Sequence, residues 1–180
     1  MLRDYFAKMH GTTTSPPRVS LSEILWSWIG AFIGIGLISY ANFHVFEKID
    51  MLMIVGSFGA SAVLIYGAIK SPLAQPRNLV GGHVISALIG VASYQLLQGQ
   101  VWLAAGVGVA TAIAAMHATR TLHPPGGATA LIAVIGGEKI HSLGFLYALF
   151  PVAGGVLIML AIALLVNNIP KNRRYPEFWV

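Results

Sequence analysis

The sequence has no cysteine and few charged residues. The absence of Cys from its 180 residues excludes disulfide frameworks, thiolate metal sites and cysteine nucleophiles. Charged residues make up 9% of the chain, whereas an ordinary soluble domain contains about 25%. So few charges cannot cover the surface of a soluble protein, and the hydrophobic 56% of the chain must face something other than water. The composition therefore predicts an integral membrane protein.

The sequence also lacks the patterns of an enzyme or of a nucleic-acid-binding protein. It contains no Gly-x-Ser-x-Gly, His-Glu-x-x-His or phosphate-loop pattern, and its six carboxylates fall in the expected arms or loops. The net charge is +5, but the basic residues lie singly between apolar blocks rather than along one stripe. His117 and His123 have no Cys or buried carboxylate nearby, so we expect no metal site and no cofactor.

Apolar runs that can cross a hydrocarbon core of about 30 Å are easy to find. Five of them cover residues 24–46, 51–69, 79–98, 101–118 and 143–166. A sixth block, residues 124–137, would reach only about 21 Å as a helix. It either enters and leaves the membrane on one side, or crosses with residues 119–123 as non-helical backbone. We expect an all-α membrane fold with about six segments, one of them short or discontinuous.

The positive charges favour six crossings, because Lys and Arg in short loops mark the cytoplasmic side. Six crossings place both termini at one end with nine basic residues and leave Lys48 and Lys139 at the other. If the short block only dips into the membrane, the count becomes seven against four. We therefore expect both termini in the cytoplasm and a location in the bacterial inner membrane. The nine residues are Arg3, Lys8, Arg18, Lys70, Arg77, Arg120, Lys171, Arg173 and Arg174.

The ends of the chain differ from its apolar middle. Residues 1–22 read as an N-terminal arm, and Ser20 with Glu23 resembles a capping box that opens the first span. Residues 23–169 form the expected transmembrane domain. Residues 170–180 form a basic and aromatic tail, in which Phe178 and Trp179 are typical of an anchor at the membrane surface.

A short motif occurs twice. The letters GASAVLI begin at Gly59, and GATALI begins at Gly127, 68 residues later. Each copy lies in the middle one of three spans, so the chain reads as a 3+3 inverted repeat, an arrangement found in secondary transporters. Alternatively, the match reflects only the small residues that help membrane helices to pack or to self-associate as a homo-oligomer.

The second copy of the motif begins in an unusual run of prolines and glycines. His123, Pro124, Pro125, Gly126 and Gly127 should form an extended segment and then open a helix. The free N–H groups of such a helix start attract small anions without a buried cation. The first copy repeats this more weakly over residues 57–61.

These residues resemble a known family. The run TLHPPGGATA at residues 121–130, with QPRN at 75–78 and GGH at 81–83, resembles the HPP family of integral membrane proteins. Members in cyanobacteria and plant plastids are linked to nitrite transport, so the resemblance implies nitrite as the substrate. The family is usually described with four membrane helices, which leaves four and six spans as alternatives.

Polar residues near the two motifs are the candidate binding groups. His123 is the first choice for a substrate or proton contact, and the alternative is that its ring only caps loop carbonyls. Arg77 and Arg120 either funnel anions or set the orientation of the chain. The expected substrate-binding set is His123, Pro124, Pro125, Gly126, Gly127, Thr129, Ser57, Gly59, Ser61, Arg77, Asn78, His83 and Arg120.

The sequence thus favours a transporter or channel for a small inorganic anion, nitrite by resemblance. The alternative is a membrane protein that does not transport and acts as a sensor, scaffold or assembly partner. Polar groups that converge on a cavity at mid-membrane depth favour the first function. Polar groups that face lipid, or that pack dry against each other, oppose it.

Overall fold

The computed structural model describes residues 2–10, 12–49 and 51–180. Secondary structure in these ranges is helical throughout, without a strand. The described residues form eight α-helices, which are α1 (Leu2–Ala7), α2 (Leu21–Ala41), α3 (Ser57–Ala62), α4 (Pro76–Leu96), α5 (Val101–Ala118), α6 (Pro124–Ile135), α7 (Glu138–His141) and α8 (Gly154–Val166).

Three of these helices lengthen through π-helical turns. The helix α2 continues through Asn42–Phe46 and α3 through Val63–Gly67, and α8 is preceded by Ala148–Ala153, which is interrupted at Phe150. At the start of α2, the backbone N–H of Glu23 donates to the Ser20 hydroxyl over 3.2 Å, as the capping pattern predicts.

Four helices are long and apolar enough to cross a membrane. They are Leu21–Phe46, Pro76–Leu96, Val101–Ala118 and Ala148–Val166. Their outer faces carry exposed side chains such as Trp28, Phe32 and Trp102, which suit contact with lipid. These helices confirm the expectation of an all-α membrane fold.

The segment over residues 51–69 differs from the full-length helix that its apolar run predicts. Residues 51–55 have no regular secondary structure, and the helix covers only Ser57–Gly67, where α3 continues through π-helical turns. The side chain of Asn42 explains the difference, because its Oδ1 accepts hydrogen bonds from the backbone N–H groups of Met53 and Ile54 over 2.8 and 3.2 Å. These backbone groups are thereby satisfied without a helix. The structure therefore has two short membrane segments, whereas the sequence predicts one.

The second short segment has the same construction. Residues 121–123 are non-helical and lead into α6, whose 12 residues are about 18 Å long. The helices α3 and α6 run antiparallel, since Ser57 at the start of α3 contacts Thr129 inside α6. One turn later on α3, Ser61 contacts His123, which precedes α6. Two short antiparallel helices, each preceded by non-helical backbone, are what an inverted repeat predicts.

The helices α4 and α6 run parallel and almost touch. A β-carbon on Gly90 would lie 2.5 Å from the carbonyl oxygen of Ala130, and one on Gly126 would lie 2.8 Å from the carbonyl oxygen of Gly82. Small residues at these positions let the two backbones meet. This contact fixes the start of α6 beside the middle of α4.

Both ends of the transmembrane region meet at one end of the bundle. Arg173 in the tail lies 3.6 Å from the carboxylate of Glu23 at the start of α2. The hydroxyl of Tyr175 donates to the carbonyl of Ala74, just before α4, over 2.7 Å. The helix α3 runs antiparallel to α6, and α4 runs parallel to α6. The four long helices and the two short segments therefore traverse the bundle in alternating directions.

The tail packs into the bundle more deeply than a surface anchor would. Arg173 and Tyr175 are buried, whereas Phe178 and Trp179 are exposed. The backbone N–H of Glu177 donates to the Gln75 side chain over 2.8 Å. The tail therefore holds the segment between α3 and α4 in place.

Candidate functional site

Five polar side chains meet inside the bundle and form a chain of hydrogen bonds. We call this set the polar chain, and its members are Ser57, Ser61, His83, His123 and Thr129. Each of them is at most 2% exposed. All five belong to the binding set that the sequence predicts, although they are up to 72 residues apart.

The centre of the polar chain is the hydroxyl of Ser61, which lies between two imidazoles. Its Oγ is 2.6 Å from Nε2 of His83 and 2.9 Å from Nε2 of His123. The two rings are tilted, with their centroids 5.0 Å apart. One hydroxyl thus links both histidines directly.

The polar chain continues from His83 towards the start of α3. Nδ1 of His83 is 2.6 Å from the Thr129 hydroxyl, which is 2.8 Å from the Ser57 hydroxyl. The Thr129 hydroxyl also lies 3.2 Å from the Pro125 carbonyl. The hydroxyl of Tyr147 donates to the Thr129 backbone carbonyl over 3.3 Å. Every polar atom on this side therefore has a protein partner.

The other end of the polar chain is a backbone carbonyl. Nδ1 of His123 is 2.8 Å from the carbonyl oxygen of Leu73, in the short 3₁₀-helix Pro72–Ala74. The contact with a loop carbonyl is the alternative given for His123 from the sequence, and a substrate or proton contact at this ring stays a prediction. Leu73 was missed because a backbone acceptor leaves no signature in the sequence.

The residues around His123 explain its position. His123 is extended, with φ −139° and ψ 104°, as expected before Pro124. The two prolines occupy the first helical positions, where no N–H donor is needed. Since Gly126 allows α6 to approach α4, the ring of His123 is held against Ser61.

The two serines are placed by simple helical spacing. Ser57 and Ser61 are four residues apart on α3 and so share one face. Ser61 also lies 3.3 Å from the carbonyl of Ser57. Both hydroxyls consequently face α4 and α6.

The carbonyl of Leu73 determines which nitrogen of each neutral imidazole carries the hydrogen. A carbonyl oxygen only accepts, so Nδ1 of His123 must donate and its Nε2 must accept from Ser61. Ser61 has a single hydroxyl hydrogen, so Nε2 of His83 donates to the Ser61 oxygen. With both rings neutral, His123 is the Nδ1–H tautomer and His83 the Nε2–H tautomer.

The same reasoning extends to the hydroxyl of Thr129. Nδ1 of His83 then accepts the single Thr129 hydroxyl hydrogen, for which the Ser57 hydroxyl and the Pro125 carbonyl are further acceptors at 2.8 and 3.2 Å. The bonds of the neutral polar chain between Thr129 and Leu73 therefore point one way, towards Leu73.

The other predicted binding residues lie around the polar chain or away from it. Asn78 and Arg77 donate to the carbonyls of Leu122 and Thr119, each over 2.8 Å, and so hold the loop before α6. Pro125 and Gly126 are buried, whereas Pro124 and Arg120 are exposed. Gly127 is partly buried, its nearest neighbour across the helix interface being Val109. Gly59 lies apart, on an apolar groove between α2 and α3.

The polar groups converge as a transport path requires, but they bond to one another. Because each is at most 2% exposed, they line no open cavity. This geometry opposes a permanently open channel through the polar chain. Among the residues that the structure describes, no three His, Asp or Glu side chains are placed to hold a metal ion.

Comparison with known proteins identifies the chain. A family model described as "HPP, transmembrane region" matches residues 16–176. The chain belongs to the HPP family. The matched residues contain the complete polar chain, so the predicted resemblance is confirmed over the whole candidate site of this HPP-family protein.

The similar curated proteins are two transmembrane proteins of Dictyostelium discoideum. They are 48% and 43% identical to this HPP-family chain over 97% of its length. The chain spans only 57% and 63% of those relatives. Their names state a transmembrane protein and no activity. No solved structure gives a significant match.

Proposed function

We propose that this HPP-family protein transports a small inorganic anion, nitrite in the first instance, and that the polar chain lies on the path. The observation that carries this proposal is the meeting of Ser61, His83 and His123 between two short antiparallel helices. In secondary transporters, substrates bind where such discontinuous helices meet. The proposal includes no catalytic step.

The chemistry of the polar chain suits a monovalent oxyanion. Hydroxyl and imidazole N–H groups donate hydrogen bonds to anion oxygens, and neutral donors bind more weakly than a buried Arg or Lys would. Weak binding allows release, which a transporter needs. The positive ends of two short helices add a modest attraction.

The closed geometry means that transport requires a second conformation. In this structure the donors that would bind an anion are occupied by one another, with contacts of 2.6–2.9 Å between Ser61 and the two imidazoles. An anion must therefore replace some of these hydrogen bonds, as in a transporter that alternates between states. The same dry packing is the observation that favours the alternative, a sensor, scaffold or assembly partner.

The test is nitrite uptake into liposomes that contain the purified protein. We expect uptake faster than in protein-free liposomes, and we expect His123→Ala to abolish the protein-dependent part. The matched control is Ser86→Ala, because Ser86 is buried on α4 like His83 but its hydroxyl donates only to the sulfur of Met116, outside the polar chain.

Two results would each contradict one part of this proposal. Uptake no faster than in protein-free liposomes, with protein that elutes as a single folded species, supports the non-transporting alternative. Equal uptake by the wild type and His123→Ala removes the polar chain from the path.

We further propose a location in the bacterial inner membrane with cytoplasmic termini, and self-association through faces of small residues.

A further inference from the structure

We propose that His83 and His123, bridged by Ser61, take up one proton together and carry it across with the anion. Transport would then be an electroneutral proton–anion symport. This inference rests on the proposed anion transport and adds the coupling ion and the residues that hold it.

The Ser61 hydroxyl bridges the two imidazoles directly. Proton transfer between two imidazoles through one hydroxyl needs two short, direct hydrogen bonds, and the Ser61 oxygen makes them at 2.6 and 2.9 Å. Dry surroundings keep competing water away from both rings, which are fully buried. The bridge is therefore a continuous path for one proton.

The hydrogen bonds of the neutral polar chain point one way between Thr129 and Leu73. In the open conformation that anion transport requires, a proton from water binds the Thr129 oxygen while the Thr129 hydroxyl proton passes to Nδ1 of His83. The Nε2 proton of His83 then passes to Ser61 while the Ser61 proton passes to Nε2 of His123. One positive charge has moved from His83 to His123, and no bond between heavy atoms has changed.

Release of the proton depends on Leu73. The protonated His123 still donates from Nδ1 to the Leu73 carbonyl, which cannot accept the proton itself. If His123 lost its Nδ1 proton in place, two acceptors would face each other 2.8 Å apart. Release towards the end that holds the termini therefore requires the segment Pro72–Ala74 to move away from the ring.

Other positive charge is scarce on the helices that carry the polar chain. The helices α3, α4 and α6 contain a single charged residue, Arg77, whose guanidinium donates to the Thr119 carbonyl at the end of α5. An anion bound at the polar chain is therefore balanced most directly by a protonated imidazole. The other titratable or charged groups on the elements packed around the two rings are Tyr66, Lys70, Tyr94, His117, Arg120 and Tyr147, and the hydroxyl of Tyr66 donates to the Met159 carbonyl.

Of these groups, only one reaches the polar chain. Tyr147 bonds the Thr129 backbone carbonyl, and Tyr94 stacks on His141 at the far end of α4. Lys70, His117 and Arg120 are exposed or lie at the helix ends. The two histidines are thus the groups placed to exchange a proton with an anion.

The experiment drives nitrite into liposomes in two ways. One arm applies a pH gradient, alkaline inside, without a membrane potential; the other applies an inside-positive potential without a pH gradient. We expect the protein-dependent uptake to depend on the pH gradient, with about tenfold accumulation of nitrite inside the liposomes per pH unit. The membrane potential should not change it. Protein-free liposomes measure the passive entry of nitrous acid, which is subtracted.

Variants of Ser61 test the bridge itself. Ser61→Ala keeps both rings and removes the link, so we expect pH-driven uptake to fall about tenfold. Ser61→Thr keeps a hydroxyl and should retain most of the coupled uptake, while Ser86→Ala should match the wild type.

Each opposite result overturns a distinct claim. Protein-dependent uptake that follows the potential and ignores the pH gradient refutes the symport but leaves anion transport standing. Coupled uptake by Ser61→Ala at the wild-type rate refutes the bridge. If neither gradient drives protein-dependent uptake, the proposed transport fails, and the symport with it.

Discussion

Gly90 of α4 faces the backbone of Ala130 on α6 so closely that no side chain fits between them. A β-carbon on Gly90 would lie 2.5 Å from the Ala130 carbonyl oxygen and 2.8 Å from its Cα. Backbone atoms cannot move aside as a flexible side chain can. The contact therefore sets the distance between α4, which carries His83, and α6, which carries Thr129.

The first prediction follows from this contact. We expect Gly90→Ala to destabilise the protein by about 3 kcal/mol, because the helices must separate to admit the methyl group. The matched control is Gly106→Ala on α5, where an added β-carbon meets nothing within 4 Å. That change should be neutral or stabilising by about 0.5–1 kcal/mol. Thermal unfolding in detergent measures both, and equal melting temperatures for the two variants would contradict the close contact.

The start of α6 was predictable from the sequence because its causes are local. Pro124 and Pro125 restrict their own backbone and that of His123, and the glycines that follow permit close packing. The four-residue spacing of Ser57 and Ser61 is equally local. The sequence therefore pointed to residues that the structure brings together, and their role in binding stays a prediction.

The partners of these residues were not predictable in the same way. The carbonyls of Leu73 and Ala74 become acceptors only because distant parts of the chain fold against them. The Asn42 side chain likewise replaces helical hydrogen bonds 11 residues further along, at Met53, which shortens the second segment. An apolar run shows that a segment can lie in a membrane. It does not show which hydrogen-bond partners the backbone groups of that segment will have.

The second prediction concerns the tail. The buried hydroxyl of Tyr175 donates to the Ala74 carbonyl, which lies next to Leu73. We expect Tyr175→Phe to destabilise the protein by about 1–2 kcal/mol, because a buried carbonyl loses its donor. Tyr5→Phe, on the exposed arm, should leave the melting temperature unchanged. A null result for Tyr175→Phe would show that the tail does not hold this segment.

The third prediction concerns the pH dependence of the same bond. Burial raises the pKa of the Tyr175 phenol above its ordinary value, so the folded state keeps the proton longer than the unfolded chain does. The contribution of this phenol to stability is complete below the ordinary tyrosine pKa of about 10 and declines as the pH rises further. The difference in melting temperature between wild type and Tyr175→Phe should therefore shrink in strongly alkaline buffer. A difference that grows with pH would have the wrong sign.

The fourth prediction concerns the tautomers of the two buried histidines. With neutral rings, we expect His123 to carry its hydrogen on Nδ1 and His83 on Nε2, for the reasons set by the Leu73 carbonyl. Nitrogen NMR of protein labelled at histidine distinguishes the tautomers, and His83→Gln and His123→Gln assign the signals. In Ser61→Ala, His123 should keep its tautomer because Leu73 is unchanged. Two Nε2–H rings in the wild type would refute the assigned direction of the polar chain.

The last prediction uses the absence of cysteine to establish the path of the chain. Since the protein has no Cys, each single substitution introduces one reactive thiol. Lys48 follows the first span and Lys70 follows the short second segment, and both side chains are exposed. If residues 51–67 cross the membrane, a thiol at 48 and a thiol at 70 must lie on opposite sides.

We expect a membrane-impermeant maleimide to label Lys48→Cys in intact cells, and to label Lys70→Cys only after permeabilisation, because the basic end of the bundle should be cytoplasmic. The reverse pattern would invert the orientation and leave the six-segment arrangement intact. Labelling of both from the same side would mean that the second segment does not cross, and α3 and α6 could not then be related as inverted halves. The experiment therefore separates the orientation of the protein from the arrangement that brings Ser61 to the two histidines.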